Sequence, residues 1–209
     1  MPNPRERPAR TERAVAAAVA GYVLGTVPSA DVAARRARGG TTDLRQVGSG
    51  NPGALNAMAA LGLAWGWAVL LADVGKGALA CRVGRRLAGA TGANLAGTGA
   101  VVGHCYPVWN RFRGGKGVAV SAGQCLMTFP AYFPLDLAVA FAVARWRGRA
   151  LPATAVASAV WVGAGVLWWR RGWPNAWGPR PGPALPVCAA VTSLVIMSRF
   201  LTSSRPAPR

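Results

Sequence analysis

The chain has 209 residues, enough for one domain, and is 52% hydrophobic with nine tryptophans and only 14% charged residues. That balance is too apolar for an ordinary soluble domain. A net charge of +18 invites a nucleic-acid reading, but the arginines sit in short clusters between apolar runs and not along one polar face, which excludes that reading and suits anionic headgroups and phosphorylated ligands.

Residues 1–13 are rich in Pro and Arg and read as a disordered N-terminus. A single membrane domain follows over 14–202, with a polar tail at 203–209. Within it, residues 14–34 form a first apolar span, and an Arg-rich loop (Arg35, Arg36, Arg38, Arg45) leads into Gly48–Gly53. Residues 54–80 are apolar and long enough to span, ending at Arg82, Arg85 and Arg86. Residues 90–108 make a third span, and the loop from Gly103 to Gly117 carries His104, Arg111, Arg113 and Lys116. Residues 118–144 are apolar but broken by Pro130 and Pro134. Crossing the hydrocarbon core takes about 20 apolar residues, so that stretch is one kinked helix or two short ones. Residues 150–169 and 184–202 are two more spans. The fold class is therefore all-α: a polytopic integral membrane protein of about seven helices, six being the alternative. Seven helices place both glycine-rich loops and residues 145–149 on one face. Basic residues then number 13 on that face and 10 on the other, too even a split to orient the chain by charge.

Four separated cysteines (Cys81, Cys105, Cys125, Cys188) without a CxxC pair, and one histidine, argue against a zinc site; no metal or other cofactor is expected. Only two of the 24 basic residues are lysines, Lys76 and Lys116, and each precedes a glycine. A retained ammonium in a chain that otherwise uses arginine suggests a need for a compact point charge. Gly48-Ser49-Gly50-Asn51-Pro52-Gly53 matches GxGxxG but lacks a preceding strand, so it is no dinucleotide fingerprint. Its backbone N–H groups, the Ser49 hydroxyl and Asn51 can still wrap a phosphate at a helix start near Ala54; a tight interfacial turn is the structural alternative. Gly114-Gly115-Lys116-Gly117 is not a P-loop, since Gly117 follows the lysine, yet Arg111, Arg113 and Lys116 gather cations beside backbone donors. The alternative there is a basic flank snorkelling at a membrane edge. Asp73 and Lys76 share a helix face within a span, as a structural ion pair or part of a polar site. His104 is a candidate base or a helix-end hydrogen-bonding group.

Four segments in order resemble one family over about residues 20–150. They are Gly21-Tyr22-Val23-Leu24-Gly25-Thr26-Val27-Pro28, Asp43 through Asn56, Leu71-Ala72-Asp73-Val74-Gly75-Lys76-Gly77, and Gly103-His104-Cys105-Tyr106-Pro107 with Phe112 through Ala119. These are similar to motifs of the bacterial acyl-phosphate-dependent glycerol-3-phosphate acyltransferases, the PlsY family. The resemblance implies a seven-helix enzyme of the bacterial inner membrane with both loops facing the cytoplasm. It implies transfer of a fatty acyl group from acyl phosphate to the 1-hydroxyl of glycerol 3-phosphate, giving lysophosphatidate, with acyl phosphate, glycerol 3-phosphate and membrane lipids as the partners. Lys116, Ser49 and Asn51 become the expected catalytic residues. Arg45, Gly48, Gly50, Gly53, Asn56, Asp73, Lys76, His104, Arg113, Gly114, Gly115 and Gly117 become the expected substrate-binding residues. Two places depart from the family pattern. Ala59 stands where an Arg is usual, and Met197-Ser198-Arg199-Phe200-Leu201-Thr202 stands where a His-Arg-x-Asn run usually ends the last helix, with Arg199 keeping a cation there. The departures leave a second reading, a non-catalytic or altered-substrate membrane paralogue that binds phosphorylated lipids or ligands through the same loops.

Overall fold

The computed structural model describes residues 6–37, 39–40, 42–147 and 150–203. The expected disorder of residues 1–5, the loop residues Arg38 and Arg149, and residues 204–209 of the tail lie outside the described residues. Those described form helices and connecting loops, with no strand among them.

Helix α1 runs Glu6–Gly25. Residues 6–13, expected to be disordered, instead begin it: Pro8 falls in the first turn, where backbone N–H groups have no helical partner and proline costs little. The first span also ends earlier than expected. Pro28 interrupts it, and α2 (Ser29–Arg36) starts afresh with Ala30, Ala33 and Ala34 buried. The expected span at 54–80 is likewise divided. Helix α3 (Ala54–Leu61) stops at Gly62, whose φ of 100° breaks the helix before α4 (Leu63–Cys105) begins.

Helix α4 is a hairpin of two limbs. Ala88 and Gly89 leave helical geometry, with Gly89 at φ 60°, and the chain turns back on itself. Gly84 and Gly92 face each other so closely that a Cβ on either would strike the other's carbonyl. A short 3-10 turn, Val108–Asn110, opens the second loop. Residues 118–144 resolve into two short helices, α5 (Val118–Thr128) and α6 (Phe133–Arg147), separated at Phe129–Tyr132. Helices α7 (Ala150–Arg171) and α8 (Ala184–Ser203) match the last two expected spans.

Among the described residues, four helical stretches are long and apolar enough to cross a membrane: Ala9–Arg36, Leu63–Asn110, Leu151–Arg171 and Ala184–Thr202. Helix α5 spans only about 16 Å at 1.5 Å per residue. Its far end is closed by the loop before α8, where Asn175 Nδ2 donates to the Thr128 carbonyl at 2.9 Å and Trp177 Nε1 donates to the Leu126 carbonyl at 3.2 Å. These bonds satisfy carbonyls that a short helix would leave bare at membrane depth. Arg199, near the end of α8, reaches the same second loop that precedes α5. The chain therefore makes an even number of passes between them, which α5 to α8 supply. With α1 and the two limbs of α4, this gives seven segments and sets the six-helix alternative aside.

Helix packing rests on small residues four apart. A Cβ on Gly21 or Gly25 of α1 would collide with the carbonyls of Ala96 and Ala100 in α4. In return, Gly99 and Gly103 of α4 lie against the carbonyls of Ala18 and Tyr22. Two backbones in direct contact gain dispersion without a hydrophobic driving force, which lipid removes. Polar glue adds to it deeper in the bundle: Gln124 Nε2 donates to Thr98 Oγ1 at 3.2 Å, and Thr192 Oγ1 donates to Gln124 Oε1 at 3.0 Å. Gly21→Leu should therefore separate α1 from α4 and lower thermal stability in detergent by the equivalent of at least about 1–3 kcal/mol, the cost of overpacking. An unchanged melting temperature by tryptophan fluorescence would contradict this packing.

Candidate active site

The first loop is built around a buried amide. Asn56, on the first turn of α3, donates through Nδ2 to the carbonyls of Leu44 at 2.8 Å and Val47 at 3.0 Å, and accepts the Ser49 N–H on Oδ1 at 3.1 Å. Gly48 and Gly50 turn the chain around it with φ of 57° and 67°, and a Cβ on Gly48 would strike Asn56 Oδ1. Asn56, expected to bind substrate, is thus the strut that shapes the loop. The Ser49 and Gly53 N–H groups are consumed inside it, Gly53 donating to the Asn51 carbonyl at 2.8 Å. The Ser49 hydroxyl and Asn51 amide remain uncommitted among the described residues, and α3 begins at Ala54 as the sequence suggests.

Arg45 joins this loop to its surroundings. Its guanidinium grips Asp31 of α2 through two hydrogen bonds, of 2.7 and 3.2 Å, and donates from Nε to the Arg113 carbonyl at 3.2 Å. Burial opposes its charge, but the carboxylates of Asp31 and Asp43 outweigh burial and raise its pKa. Arg113 contributes its carbonyl to this link, while its side chain is exposed.

The second loop is pinned from both sides. The N–H groups of Gly114 and Gly115 donate to the carbonyls of Cys105 and His104, each at 3.1 Å. These are donors that the sequence reading offered to a phosphate, and the fold uses them instead. On the other side, Arg199 donates to the Gly114 carbonyl at 2.7 Å and to the Gly115 carbonyl at 3.3 Å. Gly117, at φ 84°, starts α5. Lys116 lies with its ammonium 4.4 Å from the centre of the Phe200 ring. Burial and then the nearby Arg199 cation lower its pKa below the usual lysine value.

Beneath the loops sits a buried ionic cluster. Lys76 Nζ is 2.8 Å from Asp73 Oδ1, 3.0 Å from the Val27 carbonyl and 2.8 Å from His104 Nδ1. Ser29 Oγ donates to Asp73 Oδ1. Lys76 and Asp73 are 8% and 2% exposed, so the i, i+3 pair is an interior one, as membrane depth demands. A cavity of ≈ 190 Å³ opens above this cluster, bounded by Gly25–Asp31, Arg35, Arg45, Pro52, Lys76, His104, Trp109, Gly114 and Gly115. It thus gathers Arg45, Lys76, His104, Gly114 and Gly115 from the expected set. Ser49, Asn51 and Lys116 are not on its wall. Ser29, Asp31 and Thr26, whose Oγ1 accepts from Trp109 Nε1 at 2.9 Å, are site residues that the sequence reading missed. The signal for Ser29 was present: a serine directly after Pro28 and two residues ahead of Asp31 is a helix start.

A family described as glycerol-3-phosphate acyltransferase matches residues 15–204. The chain belongs to that family. It is 42% identical over 156 residues to a glycerol-3-phosphate acyltransferase of Symbiobacterium thermophilum, covering 73% of this chain and 69% of the relative. It is 46% identical over 123 residues to the enzyme of Exiguobacterium sibiricum, covering 59% and 58%. The chain thus spans between about half and two-thirds of the length of the curated relatives it matches. The crystal structure of PlsY (YgiH), an integral membrane glycerol 3-phosphate acyltransferase, superposes in its glycerol 3-phosphate form with a TM-score of 0.75 over 90% of this chain and 88% of that one, at 27% identity. Its lysophosphatidic acid form gives a TM-score of 0.71 at 26% identity, covering 90% and 87%.

Asn56→Ala should strand the buried Leu44 carbonyl, at about 1–3 kcal/mol, and release the part-buried Val47 carbonyl and Ser49 N–H. Hydrogen exchange at residues 44–50 should accelerate by at least about tenfold. Unchanged protection there would show that the amide does not hold the loop.

Proposed function

We propose that this protein transfers a fatty acyl group from acyl phosphate to the 1-hydroxyl of glycerol 3-phosphate. The observation that carries this reading is the cavity lined by the α1–α2 turn, by Pro52 of the first loop and by Gly114 and Gly115 of the second, with Arg35, Arg45, Lys76 and His104 on its wall. A guanidinium fork suits phosphate, which both substrates bear; Arg35 is the cation here with its fork uncommitted among the described residues, since Arg45 is paired with Asp31 and Lys76 with Asp73. The apolar bundle beside it suits the acyl chain. The family's members named above, and the forms in which PlsY was crystallised, support the same substrate class.

In this reading the Ser49 hydroxyl and Asn51 amide hold a phosphate of the acyl donor, and Lys116 neutralises charge on donor or acceptor. The acceptor hydroxyl oxygen attacks the acyl carbon. The bond from that carbon to the phosphate oxygen breaks, phosphate leaves with the electron pair, and phosphate takes the hydroxyl proton. The protein supplies placement and charge stabilisation, the two large contributions available without a covalent intermediate. The glycine-loop face is assigned to the cytoplasm and the bundle to the bacterial inner membrane, where soluble glycerol 3-phosphate meets a lipid-borne donor.

One observation favours a second reading. Ala59 offers no cation, and the end of α8 presents Arg199 with its donors already on the Gly114 and Gly115 carbonyls. A paralogue that binds phosphorylated ligands without turnover would look like this.

Purified protein in detergent, given palmitoyl phosphate and labelled glycerol 3-phosphate, should form labelled lysophosphatidate. Lys116→Ala should lose about 10²–10³-fold in kcat if its ammonium meets the developing charge. No product from folded protein that still binds either substrate would favour the paralogue. Wild-type turnover in Lys116→Ala would remove the lysine from the mechanism. The pH profile gives a further check. Because the Lys116 pKa is lowered, the ammonium is lost earlier as pH rises, so the alkaline limb of kcat/KM should fall below the ordinary lysine range. Arg199→Gln removes a repelling cation and should move that limb upward; a fixed limb would mean another group sets it.

A further inference from the structure

His104 is the only histidine in the chain, and its ring is held in one protonation state by its neighbours. The Lys76 ammonium has three donors and three acceptors around it: Asp73 Oδ1 at 2.8 Å, the Val27 carbonyl at 3.0 Å and His104 Nδ1 at 2.8 Å. Lysine cannot accept, so Nδ1 must. The ring proton therefore sits on Nε2, and the imidazole is neutral. Asp73 Oδ1 also faces Nδ1, but at 3.6 Å it is beyond hydrogen-bond reach, so the ammonium at 2.8 Å decides the tautomer. The side chain is 10% exposed, lines the cavity, and turns Nε2 toward Gly115, where a Cβ would collide with it. Nε2 has no hydrogen-bond partner among the described residues.

The charge around this donor indicates what it serves. Asp73 and Lys76 cancel, and the imidazole is neutral, so the floor of the cavity carries no net charge. Arg35 and Arg45 line the same cavity, Arg45 with its fork on Asp31, which leaves Arg35 as the uncommitted cation for a phosphate. An uncharged carbonyl oxygen gains most at the floor, where a fixed donor strengthens its bond as charge accumulates.

Resting on the acyl-transfer reading, we infer that His104 is a further catalytic residue: its Nε2–H donates to the acyl carbonyl oxygen as that oxygen becomes an oxyanion. It is a donor here and not a base, and Lys76 with Asp73 are the positioning residues that fix its tautomer. Glycine at position 115 makes the room that the ring edge occupies, which a side chain there would take.

A single histidine makes the test direct. Untagged wild-type protein labelled with 15N-histidine should show one ring, with Nδ1 unprotonated and Nε2 protonated, unchanged from pH 6 to 8. A non-hydrolysable palmitoyl phosphonate, which keeps the carbonyl, should shift Nε2 more than Nδ1. In kinetics, His104→Ala should lower kcat by about 10²–10³-fold with KM within about threefold, and His104→Gln, which restores an N–H donor, should recover at least about tenfold of that loss. An imidazolium or an Nδ1–H tautomer would overturn the inference. So would a loss expressed in KM alone, which would make His104 a ground-state phosphate ligand, or an Nε2 signal indifferent to the phosphonate. The NMR measurements need no variant, so a misfolded His104→Ala leaves them decisive. Absence of product from the wild type defeats the acyl-transfer reading itself, whereas active wild type with the wrong tautomer defeats only the role of His104.

Discussion

The pairing of Lys76 with Asp73 inside the bundle is the constraint on which the rest of the site depends. A lone ammonium or carboxylate at that depth would cost several kcal/mol, so each needs its partner, and the remaining donors need acceptors. The partners, Ser29 donating to Asp73 and the Val27 carbonyl and His104 Nδ1 accepting from Lys76, come from outside the limb that carries the pair. The Val27 carbonyl belongs to the turn that Pro28 forces between α1 and α2, Ser29 opens α2, and His104 closes the second limb of α4. His104 in turn accepts the Gly115 N–H through its carbonyl, which ties in the second loop. One charge pair thus fixes the α1–α2 turn, both limbs of α4 and a glycine-rich loop relative to one another.

Such a cluster works only if the helices around it approach closely. At each contact between the α1 and α4 backbones one partner is a glycine, and Gly77 of the first limb lies against the Val120 carbonyl of α5 in the same manner. The glycine content of this chain therefore divides by purpose. Within the helices it permits contact between backbones. In the loops, Gly48, Gly50 and Gly117 adopt positive φ that other residues resist, and Gly115 leaves space for an imidazole. Both uses serve the same end, a closely packed floor under the two loops.

Local features were legible in the sequence because local physics decides them. The glycine-rich loops, the i, i+3 spacing of Asp73 and Lys76 and the helix start at Ala54 all follow from residues within a turn of each other. The breaks at Pro28 and Gly62 carried equally local signals, but the hydropathy of the flanking residues masked them and merged two pairs of helices into single spans. The role of Asn56 was not legible in the same way. An asparagine three residues past a GxGxxG run looks like a ligand-binding group, and only its burial against Leu44 and Val47 makes it a strut. The same is true of Ser29 and Asp73, 44 residues apart, and of Arg45 with Arg113, 68 apart. Their pairing depends on how α1, α2 and α4 pack, which no window of sequence contains.

The end of α8 shows how a departure from the family pattern can be absorbed structurally without being replaced chemically. Arg199 lies over the Tyr106 ring, 5.3 Å from its centre, and gives its hydrogen bonds to the Gly114 and Gly115 carbonyls. The Gly115 N–H, for its part, is given to the His104 carbonyl. The two-residue segment is therefore clamped between a guanidinium and a helix end, and its shape does not need the imidazole and amide that the family usually places on the last helix. What the guanidinium cannot do is exchange a proton or accept a hydrogen bond. Its remaining influence is its charge, which it exerts on Lys116. With no second histidine in the chain, any step that needs an imidazole must use His104, on the far side of the clamped segment. The site thus keeps Arg35, Arg45, Lys76 and His104 on one cavity wall, beside a Gly114–Gly115 segment held by the His104 carbonyl and by Arg199.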